Sequence, residues 1–291
     1  MTDWQAIAGQ IASALGQRFE PGPARALGGG CINRAALLTD GGERIFVKLN
    51  CADRLEMFAA EAAGLEAMAA TGSVRVPRPV CTGVAGGEAF VAMEYLELGT
   101  RGDSAAAGEQ LAAMHRATAD RFGWERDNTI GSTPQPNGWQ ADWPTFWQRQ
   151  RLGFQLELAA RNGYGGRLQR RGERLLAGCP ALLGHTPPPA LLHGDLWGGN
   201  IGYDQRGAPV LFDPAVYYGD READLAMTEL FGGFGPAFHA AYAGAWPLPT
   251  GYPVRRTLYN LYHILNHLNL FGSGYLGQAE GMIDRLLAEL G

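Results

Sequence analysis

Two short apolar runs, each stopping abruptly at a polar turn, set the tightest limit on how this chain can fold. Ala190-Leu191-Leu192 runs into His193-Gly194-Asp195-Leu196-Trp197-Gly198-Gly199-Asn200, and Val210-Leu211-Phe212 runs into Asp213. A run of this length between turn signals reads as a short buried strand. Where such a strand ends and the chain must turn, the polar side chain points into a crevice rather than the core. Around these two strands the pattern is helical: a helix capped by Asp103 or Ser104 and running to about Thr118, then Phe146 to Asn162, Arg167 to Leu176, Leu258 to Phe271 and Ala279 to Leu290.

The first third reads differently. Trp4, Ile7, Ile11 and Leu15 recur at helical spacing, and Ala24 to Leu27 leads through Gly28-Gly29-Gly30 into an extended stretch from Ala35 to Thr39. Arg44 to Leu49 is a β-branched and aromatic run, followed by the Ala-, Leu-, Met- and Glu-rich helix signal from Asp53 to Ala70. Pro77 and Pro79 break the chain before a strand from Ala89 to Leu96. At 291 residues the chain has room for about two domains. The expected division is a small α+β lobe over residues 1–97 and a larger, mainly helical lobe over 98–291.

Asp195, Asn200 and Asp213 suit phosphoryl transfer. A hydroxyl that attacks phosphorus needs a carboxylate to take its proton, and a polyphosphate needs Mg²⁺ held by oxygen ligands. Asp195 is the expected base, with Asn200 and Asp213 the expected metal ligands. Asp and Asn also end ordinary turns, so the reading rests on the three together rather than on any one. Lys48 closes an apolar strand, and Glu61 follows on a helix amid Met57, Phe58 and Leu65. A lysine that contacts phosphates is held extended by such a carboxylate. Gly28, Gly29, Gly30 and Cys31 form a loop whose backbone N–H groups could approach phosphate oxygens. Met93-Glu94-Tyr95-Leu96 closes the last strand of the first lobe, where a connector's backbone can read an adenine edge; an ordinary core strand would look the same. His115 is expected to support the Asp195 loop. Asp224 is expected to cap or anchor a helix starting near Leu225, and His263 and His267 to be polar packing residues.

Several classes are excluded. A formal charge of −5 argues against bulk nucleic-acid or anionic-membrane binding. No apolar run is long enough for a transmembrane helix, and no basic flank leads into an apolar core at the N-terminus. Cys31, Cys51, Cys81 and Cys179 form no CxxC, which suits a reduced, cytoplasmic protein. There is no GxxxxGK[ST], GxSxG or HExxH.

The motifs HGDLWGGN and LFDPAVYYGDREADLAM, with GGGCIN, FVKLN and MFAAEAAGLEAM, together resemble the fructosamine-3-kinase (ketosamine-3-kinase) family, in its order, from about Gly28 to Phe234. HGDxxxxN alone would indicate only the broader group of small-molecule kinases that includes aminoglycoside phosphotransferases and choline kinases. The resemblance implies a bilobal protein-kinase-like fold with an antiparallel-sheet N-terminal lobe, and ATP with Mg²⁺. It implies phosphorylation of the third-carbon hydroxyl of a ketosamine such as fructosamine, ribulosamine or erythrulosamine. Enolisation can then expel the phosphate from the third carbon and release the amine. Trp197 would wall the sugar or amine arm, or serve as core packing. The partner would be a free ketosamine or a glycated lysine. An aminoglycoside or amino-alcohol kinase and a non-catalytic nucleotide-binding protein stay open as alternatives. The chain would act as a monomer or as a homodimer linked through oxidation of Cys31.

Overall fold

The computed structural model describes residues 2–28 and 32–291, which cluster into two compact units. The first comprises Met1–Asp103 with Gly202–Pro214, and the second Ser104–Ile201 with Ala215–Gly291.

The first unit opens with helix α1 (Trp4–Leu15), capped by the Asp3 carboxylate accepting from the Ala6 N–H. Then follow strands β1 (Arg25–Leu27), β2 (Arg34–Asp40) and β3 (Glu43–Cys51), helix α2 (Leu55–Ala70), and strands β4 (Pro79–Ala85) and β5 (Glu88–Glu94). The five strands form one antiparallel sheet in the order β1-β2-β3-β5-β4. Alternation along β3 sends Ile45, Val47 and Leu49 into a core with Ile7, Ile11 and Phe19. Phe46 and Lys48 therefore face the other side. The expected strand and helix signals here are all present, but β4 was not among them. Its opening residue is Pro79, which a strand tolerates at its first position and on a sheet edge, and β4 is both.

The chain continues through α3 (Ser104–Met114), β6 (Asn128–Ile130), β7 (Thr133–Gln135), α4 (Trp143–Trp147), α5 (Phe154–Arg161), α6 (Arg167–Leu182) and β8 (Ala190–Leu192). After these come β9 (Ile201–Tyr203), β10 (Pro209–Leu211), β11 (Tyr217–Gly219), α7 (Glu222–Leu230), α8 (Pro236–Ala245), α9 (Tyr252–Phe271) and α10 (Leu276–Leu290). The segment Gly202–Pro214 belongs to the first unit because its backbone is bonded there. Gly99 and Tyr203 exchange N–H···O bonds, and Leu211 donates to the Arg75 carbonyl at 2.9 Å.

Helices dominate the second unit, as the periodicity predicts. A π-helical turn over Gln148–Gly153 joins α4 to α5 and buries Arg151 completely, with its guanidinium over the Tyr217 ring at 4.0 Å. The expected start at Phe146 shifts to Trp143, because Asp142 caps the Thr145 N–H and Pro144 occupies the first turn. Strand β8 pairs antiparallel with β11, with Leu192 opposite Tyr217.

Candidate active site

In the first unit, Lys48 and Glu61 meet. Phe58, Glu61, Leu65 and Met68 lie at spacings of three, four and three along α2, so one helical stripe carries both the apolar contacts and the carboxylate. The Lys48 Nζ donates to Glu61 Oε1 at 2.6 Å and to Asp213 Oδ1 at 2.5 Å. Lys48 is 8% exposed, so the ammonium is held by its two carboxylates rather than by water. Burial pushes its pKa down, but the charges of Glu61 and Asp213 more than reverse this and keep it firmly protonated. Glu61 is pushed up by burial and by the charge of Asp213, against the pull of Lys48. Two carboxylates share one ammonium, which leaves a net negative charge suited to a divalent cation.

Asp213 holds this position at a conformational cost. Its φ is +57°, and among the described residues it is the one non-glycine with positive φ. Such a conformation costs roughly 1–3 kcal/mol and persists only where surrounding structure over-determines it. It also precedes Pro214, which by itself favours extended backbone.

The Gly-rich loop joins β1 to β2. Gly29, Gly30 and Cys31 lie outside the described residues; the far side of the loop is tied down by Asn50, whose Nδ2 donates to Asn33 Oδ1 at 2.7 Å. Met93 is buried, and the strand ends at Glu94 rather than Leu96. The Glu94 N–H donates to the Arg78 carbonyl at 2.8 Å and the Tyr95 N–H to the Arg44 carbonyl at 3.2 Å. An adenine edge at this segment would have to use its other backbone groups.

In the second unit, the loop after β8 is fixed from beneath. Ala215 N donates to the His193 carbonyl at 2.8 Å. Gly194 has φ +81°, and a Cβ there would lie 2.0 Å from the Ala215 carbonyl oxygen, so only glycine fits. The buried Asp224 carboxylate accepts from the His193 N–H at 2.7 Å and the Gly194 N–H at 2.8 Å. His115 Nε2 lies 3.1 Å from the same carboxylate, and its Nδ1 lies 2.8 Å from the Tyr242 hydroxyl, which accepts from Arg221. Arg221, Tyr242 and His115 thus form a line of hydrogen bonds that ends on the Asp224 carboxylate, which also accepts from the loop backbone. Burial would push the Asp224 carboxyl up, but the hydrogen bond and charge of His115, the charge of His193 and the Gly194 N–H hold it below the usual carboxylate range.

Above this support, Asp195 is half-buried, and Asn200 turns its Nδ2 toward it, at 2.8 Å from the backbone carbonyl and 3.3 Å from Oδ2. Trp197 is 41% exposed, so it is not core packing.

The expected support of the loop by His115 runs through Asp224, whose expected object is a helix and not this loop. The alternative of a cap is corrected: α7 begins at Glu222, and Asp224 lies inside its first turn facing the loop. His263 is fully packed, its pKa pushed down to about 3 chiefly by burial, which suits a neutral packing residue and not a charged one. No local pattern marks Arg221 or Tyr242, whose roles depend on contacts across tens of residues.

A five-stranded antiparallel sheet carrying a Lys–Glu pair, with a mainly helical unit presenting the His193–Asn200 loop, defines a protein-kinase-like phosphotransferase. A thermostable mutant of an aminoglycoside phosphotransferase shows that fold at 14% identity, covering 97% of this chain and 98% of its own, with a TM-score of 0.63. The chain belongs to the fructosamine kinase family, whose model matches residues 3–289. It is similar to the probable ketoamine kinase of Synechocystis sp., 50% identical over 98% of this chain and 97% of that protein. It is also similar to the chloroplastic protein-ribulosamine 3-kinase of Arabidopsis thaliana, 48% identical over 91% of this chain and 82% of that one. The crystal structure of a protein assigned as a fructosamine-3-kinase from Haemophilus somnus is 29% identical, covering 98% of this chain and 97% of its own, with a TM-score of 0.90. The chain is an ATP-dependent kinase. Among the described residues no helix is long and apolar enough to cross a membrane.

Proposed function

We propose that the protein transfers the γ-phosphoryl group of ATP to the third-carbon hydroxyl of a ketosamine, with fructosamine, ribulosamine or erythrulosamine as the sugar part. The observation that carries this reading is the fixed loop backbone: Asp224 and Ala215 hold His193 and Gly194, while the next residue, Asp195, stays half-exposed two positions before the exposed Trp197. Asp195 would take the hydroxyl proton as oxygen attacks phosphorus and the bond to the ADP oxygen breaks. Lys48, held by Glu61, would contact the phosphates. Asn200 and Asp213 would hold Mg²⁺, which neutralises phosphate charge. Enolisation of the ketone toward the amine-bearing first carbon then expels phosphate from the third carbon, and water hydrolyses the resulting imine to release the amine carrier, a free metabolite or a protein lysine. The test is ATP consumption across ketosamines, polyamines and aminoglycosides. Turnover confined to ketosamines supports the reading; turnover confined to aminoglycosides would overturn it.

Asp213→Ala should impair use of Mg²⁺-ATP more than affinity for the sugar substrate, because Glu61 still orients Lys48 after the carboxylate ligand is lost. Steady-state titrations of Mg²⁺ and of ketosamine check this, and an unchanged Mg²⁺ dependence would remove Asp213 from the metal site.

A redox link through Cys31 would inhibit by drawing the Gly-rich loop away from the phosphates. Cys81 and Cys179 have thiols pushed up to about 11 and about 12 by burial, which makes them poor thiolates, whereas Cys51 is exposed. Mild oxidant should therefore inhibit the wild type reversibly and spare Cys31→Ser. Equal inhibition of both variants, abolished in Cys51→Ser, would assign the effect to Cys51.

A further inference from the structure

Arg151 is fully buried in the second unit, yet its hydrogen bonds end on neutral oxygens: the Pro136 carbonyl at 2.6 Å, the Gln150 carbonyl at 3.0 Å and Asn137 Oδ1 at 2.7 Å. The guanidinium carbon lies 4.0 Å from the centre of the Tyr217 ring, 4.6 Å from that of Phe146 and 5.7 Å from that of Tyr262. A buried charge without a carboxylate is an expensive way to fill a core. The π-helical turn that carries it is itself a departure from regular helix, of a kind frequent at functional sites.

A guanidinium only donates, so it decides which way each amide beyond it faces. Asn137 turns Oδ1 to Arg151, which leaves its Nδ2 to donate to Asn128 Oδ1 at 2.9 Å and to the Arg126 carbonyl at 3.2 Å. Asn128 and Gln135 lie directly opposite on the hairpin of β6 and β7, and Asn128 Oδ1 also accepts from Gln135 Nε2 at 2.8 Å. Asn128 Nδ2 then donates to the Val216 carbonyl at 2.8 Å, and Gln135 Nε2 to the Ala215 carbonyl at 3.0 Å. The Tyr262 hydroxyl donates to Gln135 Oε1 at 2.6 Å and closes the chain. All three amides are buried, so water does not substitute for a wrongly turned group. Ala215 in turn donates its N–H to the His193 carbonyl at 2.8 Å. The orientation that starts at the cation therefore ends on the peptide that holds the loop carrying Asp195.

We propose that Arg151 is a positioning residue for the Asp195 loop, setting the orientation of Asn137, Asn128 and Gln135 so that amide NH₂ groups, not amide oxygens, meet the carbonyls of Ala215 and Val216. Arg151 touches no reacting group and acts through Ala215. The proposal rests on the kinase reading above, in which the work of that loop is proton transfer at Asp195. Turning the amides round sets oxygen against oxygen in a buried place. The Ala215 peptide then moves away, and the His193 carbonyl loses its donor.

Truncating Arg151 would empty part of the core, so the deciding variant is Asn137→Asp. It is close to isosteric and gives the buried guanidinium a carboxylate, which favours the fold. An oxygen now faces Asn128 Oδ1, so Asn128 turns, and Gln135 after it. Turnover of ketosamine should fall roughly 10–100-fold, as for a small displacement of a reacting group, with nucleotide affinity and KM for ketosamine preserved. Hydrogen exchange reads the Ala215 amide directly, and its protection should be lost in the variant. Arg151→Lys, which again only donates toward Asn137, should keep the protection that Asn137→Asp loses. Wild-type kcat in Asn137→Asp, or a loss of kcat with the Ala215 amide still protected, would overturn the proposal. So would a loss of nucleotide affinity equal to the loss in rate, or equal loss of protection in both variants. Loss of Ala215 protection confined to Asn137→Asp, in a protein whose wild type turns over no ketosamine, would support the amide chain and count against the kinase reading.

Discussion

Asp195→Asn is expected to retain nucleotide binding and lose about 10²–10⁴-fold in turnover, the usual effect of removing a positioned general base. The substitution is close to isosteric, and the backbone beneath it is held by Asp224 and Ala215, not by the Asp195 side chain. Asn200 still finds the Asp195 carbonyl at 2.8 Å and an amide oxygen in place of Oδ2. Lys48, Glu61 and Asp213 interact among themselves, so the proposed phosphate contacts have no reason to change. Single-turnover kinetics with saturating ketosamine measures the loss, and calorimetric titration with nucleotide measures what is kept. Near-wild-type turnover would remove Asp195 from the proton transfer. Loss of nucleotide affinity equal to the loss in rate would show that it binds rather than reacts.

The parts of this molecule that were legible in its sequence are those written in local pattern. Lys48 interrupts a continuous apolar run, Ile45-Phe46-Val47 before it and Leu49 after, and Glu61 interrupts an apolar helical stripe, so each departs visibly from its surroundings. The two strands before Asp195 and Asp213 could be read for the same reason. Strand β4 could not, because its proline resembles a break, and only pairing with β5 makes it a strand. The positive φ of Asp213 leaves no trace in composition, since aspartate ends many turns in ordinary conformations. Asp224 could be read as an anchor, yet its object, the loop some thirty residues earlier, became visible only with the hydrogen bonds in place.

Asp224 is where loss of a single side chain should cost the most stability. Both of its oxygens receive backbone N–H groups, Oδ2 from His193 and Oδ1 from Gly194, and His115 adds a third contact on Oδ2. In Asp224→Asn one of these oxygens becomes an NH₂ group, which must face a backbone donor whichever way the amide turns. A histidine could change tautomer to accommodate it, but a peptide N–H cannot. Breaking a buried charged interaction from one side costs about 3–5 kcal/mol, and the variant should also lose turnover, because the backbone leading into Asp195 is no longer fixed. The pH dependence identifies the group responsible. The folded protein holds the Asp224 carboxyl below its unfolded value of roughly 3.9. Its contribution is therefore complete above that pH and is lost as pH falls through the lower, folded value. A protonated Asp224 carries a donor where the Asn variant carries its NH₂, so the two proteins should converge in acid. Denaturant unfolding of wild type and Asp224→Asn, at neutral pH and at successive values below pH ~4, gives the difference directly. Other carboxylates titrate in both proteins and cancel in that difference. A gap that stays constant down through the acid range would mean that the variant fails for reasons of shape, and that the charge of Asp224 does not hold the catalytic loop.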